Sequence, residues 1–195
     1  MTRGFSVAIV GIWALLSVGA ASYAQEAPPV ATIIHAGRLL ADPARGRVLA
    51  EQSILVGAEG RVLGVEAGYV TRQDARIIDQ RNRFVLPGLI DSHVHLTHQL
   101  GPTQLLDEVQ MTESDAALQG AGYARATLMA GFTSVADLGA PNDSIFALRR
   151  AIAEGRVPGP RIIASGAAIT PDGGHGDANG YAPDVIDVLR SPAAC

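Results

Sequence analysis

Val85-Leu86-Pro87-Gly88-Leu89-Ile90-Asp91-Ser92-His93-Val94-His95-Leu96 decides how this chain is read. Its first half is an apolar run of the kind that buried parallel strands use, with Pro87-Gly88 bending the chain ahead of Leu89. The second half breaks abruptly into Asp-Ser-His-Val-His. Side chains alternate along a strand, so Asp91, His93 and His95 are expected on one face. Cα atoms two residues apart are about 6.6 Å from each other, and two imidazoles leaning together reach one ion at Zn–N distances of about 2.0 Å. Two half-exposed polar residues would be the plainer reading of a His-x-His. Polar groups gathered at the end of an apolar strand cost desolvation unless something pairs them, which favours the metal.

Outward from this stretch the pattern becomes regular. Thr112 and Asp115 form a capping box ahead of a helix carrying Ala117, Ala121, Ala124 and Leu128, and Gly131 stops it. Residues 133–136 read as a strand. Asn142 is expected to cap a second helix with Ile145, Leu148 and Ile152 on one face, ended by Gly155. Residues 161–164 are a third strand. Strand, helix, strand, helix, strand implies parallel pairing. A glycine-rich loop follows over 171–177, then a short helix over 184–189. Upstream, residues 30–78 hold short β-prone runs separated by turn residues. They predict a small antiparallel sheet unit, too short to hold much of a core alone.

The 195 residues are 48% hydrophobic and 17% charged, which excludes disordered, collagen-like and disulfide-stapled classes. A net charge of −4, with no basic stripe, excludes a nucleic-acid partner. All 15 positive side chains are Arg, and the one Cys is Cys195. Residues 1–24 read as a signal peptide: Arg3, an apolar run from about Val7 to Val18, then small residues at Ser22 and Ala24 suited to cleavage before Gln25. An uncleaved anchor is the alternative, since residues 5–21 lie at the short edge of a membrane span. Export to a periplasm or beyond follows from the first reading, with no stable membrane span after cleavage. The domain boundaries expected are 1–24, 25–83 and 84–195.

The quoted stretch resembles the first-strand signature of the metal-dependent amidohydrolase superfamily. Residues 131–139, Gly-Phe-Thr-Ser-Val-Ala-Asp-Leu-Gly, look like its second-strand motif. Gly173-Gly174-His175-Gly176-Asp177 with Asn179-Gly180-Tyr181 resembles a stretch after the third strand in Xaa-Pro dipeptidase-like members, with imidazolonepropionase-related members also similar. The resemblance implies an α/β fold: a partial (β/α)8 TIM barrel of about three βα units, preceded by the N-terminal strands of a small β-sandwich. It implies that His93 and His95 bind one or two divalent ions, zinc foremost, and that a metal-activated hydroxide attacks a carbonyl carbon. It places the other ligands and the catalytic Asp on later strands. The usual bridging Lys has no counterpart here, because the chain contains no Lys.

His175 is then a candidate substrate or oxyanion contact, or a solvated residue of a glycine loop. Asp137 is a candidate substrate-binding or supporting residue, or a cap for the next loop. A phosphate cradle is a weaker reading of the glycines, since no Gly-Lys-Ser/Thr follows them. His98 and His35 read as loop and structural residues, Tyr123 as helix packing, and Arg149-Arg150 as a solvated face. The implied substrate is a small peptide or N-acyl amino acid, with a homo-oligomer compatible. Alternatives are a cyclic-amide hydrolase of the imidazolonepropionase or hydantoinase type, or a non-catalytic binding protein on the same fold. A full barrel takes about 250 residues, and about 110 follow Phe84 here. The expectation is an incomplete barrel, poorly stable and inactive alone.

Overall fold

The computed structural model describes residues 29–141 and 143–189. The expected signal peptide and cleavage point, the expected Asn142 cap and Cys195 lie outside the described residues. The chain divides into two compact units, with the boundary between Val85 and Leu86.

The first unit is one four-stranded sheet of β1 (Val30–Asp42), β2 (Arg47–Gly57), β3 (Val62–Ala67) and β4 (Arg76–Val85), in the order β3-β2-β1-β4. β1 pairs antiparallel with β2, and β2 with β3. β4 instead runs parallel to β1, so the sheet is mixed and not antiparallel throughout. The connection before β4 leaves Gly68 and Asp74 at positive φ and returns the chain to the same end of the sheet. Phe84 and Val85 belong to β4. A Cβ on Gly37 would overlap the Arg81 carbonyl oxygen, so this glycine permits the register shift between β1 and β4 at Ala36–Arg38. Ala36, Leu39 and Ile54 form the core, which is small. His35 is buried, and its Nε2 lies 2.8 Å from the Val70 carbonyl oxygen. Ser53 donates to the Gly68 carbonyl and accepts from the Val70 N–H, fixing the same connection.

The second unit alternates strand and helix: β5 (Leu89–Val94), α1 (Gln104–Gln110), α2 (Glu113–Met129), β6 (Phe132–Asp137), α3 (Ser144–Ala153), β7 (Arg161–Ala164) and α4 (Pro183–Leu189). The three strands form a parallel sheet in the order β5-β6-β7. Thr112 caps α2 in both directions, its Oγ1 accepting from the Asp115 N–H while its N–H donates to the Asp115 carboxylate. Gly131, at φ +99, ends the helix.

The row of α2 that reaches the core is Ala116, Gly120 and Ala124; Ala124 belongs to the stripe expected from spacing, while Ala116 and Gly120 stand one residue ahead of Ala117 and Ala121. Small residues at i, i+4 and i+8 let the helix axis approach closely. Ile145 and Leu148 of α3 meet Leu96, Val135 and Ile162 in the same cluster, and Ile152 packs on its edge. The opposite sheet face exposes Ile90 (74%) and Ile163 (68%). α1 has no counterpart in the sequence reading. Leu105, Leu106 and Val109 are half exposed and no residue of the helix is buried, so it leaves no amphipathic signal. The architecture is thus mixed α/β.

Candidate metal centre

The C-terminal end of β5 is irregular. Asp91 pairs with Val135, and Val94 with Asp137, so three steps on β5 match two on β6. This bulge breaks strict alternation. Asp91 and Val94 pair with residues that share a face of β6, and Val94 packs on the helix-side core. Asp91 therefore does not keep the face of His93 that simple alternation assigned to it. Its Oδ1 accepts the His93 N–H at 3.0 Å.

His93 is the next-to-last residue of β5, and His95 lies just past its end. The two rings sit edge to face with centroids 5.3 Å apart. His95 Nδ1 lies 2.8 Å from the Gly139 carbonyl oxygen. A carbonyl only accepts, so Nδ1 carries the proton and Nε2 keeps its lone pair. That is the state in which an imidazole binds a metal ion. Gly139 is required here, because a Cβ would come within 3.2 Å of the His95 ring and 2.8 Å of Ala168.

This donor set fits a divalent ion: two neighbouring imidazoles, one already fixed in the ligating tautomer. Among the described residues, no three side chains of His, Cys, Asp or Glu gather to hold one. The ring of His98 lies 5.0 Å from that of His95. Partial desolvation, then the neighbouring His95, hold its pKa below the ordinary histidine value, although the residue retains much of its exposure.

Asp137 is the last residue of β6. It has no exposed surface, and its carboxylate accepts the Leu96 N–H at 2.7 Å and the Gly139 N–H at 3.2 Å. A carboxylate facing inward onto two backbone amides is not placed to touch substrate. Burial raises its pKa, opposed by those two N–H groups and by His95 and His98. His175 is exposed on the loop after β7 and makes no hydrogen bond among the described residues. The loop is shaped by other groups: Asp177 accepts the Gly173 N–H, and Asn179 donates to the Gly174 carbonyl. Tyr181 fastens the end of this loop to α1, its hydroxyl 2.8 Å from the Leu105 carbonyl and 2.7 Å from a Glu108 carboxylate oxygen. Sequence reasoning missed Gly139. The one available signal was its position two residues beyond Asp137, in a motif already singled out.

A parallel α/β sheet with paired imidazoles at the C-terminal end of a strand defines a class of folds that bind ligands at strand ends. The chain belongs to the amidohydrolase family, whose profile matches residues 84–187, just over half of it. Members of that family typically bind divalent metals. A solved Xaa-Pro dipeptidase with methionine bound in its active site is similar at 33% identity and a TM-score of 0.68, over 78% of this chain and 37% of that one. A solved prolidase complexed with N-methylphosphonate-L-proline is similar at 32% identity and a TM-score of 0.69, over 84% and 37%. A dihydroorotase of Anaeromyxobacter dehalogenans is 34% identical over 142 residues, covering 73% of this chain and 30% of the relative. The chain thus spans about a third of the length of the relatives it matches.

Proposed function

We propose that the protein is an exported, metal-dependent amidohydrolase that hydrolyses C–N bonds in dipeptides or N-acyl amino acids. The observation that carries this is His95, held with Nδ1 protonated beside His93 at the end of a parallel strand, in a chain of this family. Likeness to a Xaa-Pro dipeptidase and a prolidase favours peptide-like substrates. On this reading β5, β6 and β7 are the opening strands of a (β/α)8 barrel, and residues 25–83 are part of a β-sandwich. His93 and His95 hold one ion through ring nitrogens, with zinc the metal that suits imidazole in this setting. Such an ion supplies Lewis acidity toward a carbonyl oxygen and a more acidic water. The glycine loop presents His175 toward the substrate side, and Gly139 holds the His95 ring. Export rests on residues 1–24, and a mature N-terminus at Gln25 is the corresponding outcome of N-terminal sequencing.

A second reading, a cyclic-amide hydrolase, is favoured by the likeness to a dihydroorotase. The metal assignment is tested by the zinc content of purified protein. It should fall to background in His93→Ala/His95→Ala, and an unchanged content refutes the assignment. Release of free amino acid from Xaa-Pro dipeptides and N-acyl amino acids, measured beside ring opening of dihydroorotate, separates the two substrate classes.

A further inference from the structure

Asp137 is a fully buried carboxylate that the proposed chemistry does not use. Its surroundings give it a task. One oxygen accepts the N–H of Leu96, the residue after His95. The other accepts the N–H of Gly139, whose own carbonyl accepts from His95 Nδ1. The backbone carbonyl of Asp137 accepts the Ser165 N–H at 3.0 Å, and Leu138 N–H donates to the Val94 carbonyl at 3.2 Å. One residue therefore ties the ends of β5, β6 and β7 together around the His95 ring.

The peptide unit that accepts from His95 is held at its other end too. Ala140 N–H, in the same peptide plane as the Gly139 carbonyl, donates to Gly166 at 2.9 Å. A hydrogen bond at one end of a peptide group strengthens the one at the other. The Asp137 carboxylate bonds the adjacent peptide unit, so its effect on His95 is to position the acceptor, not to polarise it.

We propose that Asp137 is a positioning residue that sets His95 in its Nδ1-protonated tautomer, with Nε2 free, before any metal arrives. This rests on the reading that His95 holds a metal, but its first consequence belongs to the metal-free protein. A carboxylate accepts from both amides at once. An Asn cannot, because its NH2 must face one of them, donor against donor.

The test uses the full chain with 15N-labelled histidine, freed of metal, at a pH where the rings are neutral. Two-bond 15N–1H correlations distinguish the tautomers, and titration with Zn2+ alone against a chromophoric chelator gives the affinity. Wild type should show His95 as a single Nδ1–H tautomer. Asp137→Asn should show mixed or Nε2–H tautomers, with zinc affinity reduced about 10- to 100-fold. Ile145→Val trims the same core without touching these bonds and should change neither readout. A mixed His95 tautomer in wild type, or an unchanged one in Asp137→Asn, overturns the proposal. If Asp137→Asn does not fold, Asp137→Ser takes its place, since it removes the carboxylate that accepts from the Leu96 and Gly139 N–H groups without placing an amide donor against them. An unchanged tautomer there overturns the proposal equally. Wild type that shows the single tautomer but takes up no zinc refutes the metal-centre reading and leaves the positioning role standing.

Discussion

Two glycines of α2 lie two residues apart and should respond in opposite directions to the same substitution. Both sit inside the helix, where Gly→Ala gains about 1 kcal/mol of helix propensity. At Gly122 a new Cβ meets nothing within 4 Å, so that gain should appear in full. It corresponds to a rise in Tm of roughly 2–4 °C for a chain of this size. At Gly120 the Cβ lies 3.0 Å from Leu148 Cδ2 and 3.1 Å from the Leu96 carbonyl oxygen. The leucine methyl can move. The carbonyl cannot move alone, because the Leu96 N–H is held by Asp137. Overpacking of this kind costs about 1–3 kcal/mol. Gly120→Ala should therefore be destabilised by about 1 kcal/mol, leaving roughly 2 kcal/mol between the variants. Denaturant unfolding of both, followed by circular dichroism, measures the gap. A Gly120→Ala variant stabilised as much as Gly122→Ala would refute the close approach of α2 to the end of β5.

Thr112→Ala removes the hydroxyl arm of the capping box, leaving the Thr112 N–H on the Asp115 carboxylate, and should cost about 1 kcal/mol in the same assay. Asp79 titrates at about 2, first through its side-chain hydrogen bond with Arg81. A depressed carboxylate contributes stability above its unfolded pKa and loses it as pH falls through the folded one. The Asp79 contribution should thus disappear between about pH 4 and pH 2. NMR titration of Arg81→Gln should return Asp79 to the ordinary carboxylate range. Tyr181 is pushed up to about 12 by burial and then by Glu108. In Glu108→Gln the tyrosine ionising near 12 in an ultraviolet titration should move down, and an unmoved titration would place Tyr181 away from α1.

The parts of the fold readable in the sequence were those decided locally. The Thr112–Asp115 box, the glycines at 131 and 155, and the faces of α3 each depend on residues a turn or two apart, and each stands where spacing put it. The His93–His95 pairing was legible for the same reason. What escaped depends on partners distant in the chain. The parallel run of β4 beside β1 is set by a connection whose path no local pattern encodes. The fate of Asp137 is set by backbone amides at Leu96 and Gly139, and only the fold brings Leu96, 41 positions away, to it. α1 is fastened through Tyr181 and not through an apolar face, so its seven residues carry no periodic trace.

The bulge in β5 behaves as a phase change along the strand. Immediately before it, Ile90 and Asp91 keep step with Ser134 and Val135 of β6. After it, Val94 still serves the interior, and the histidines on either side of it are turned the other way. Pairing of the same residues without the bulge would set Val94 opposite Leu138 instead of Asp137 and, by doing so, exchange the roles of every later side chain. The valine would then face outward, and the imidazoles would point into a hydrocarbon interior with nothing to bind. The flaw in the ladder is thus what keeps packing and chemistry on separate faces of one short strand.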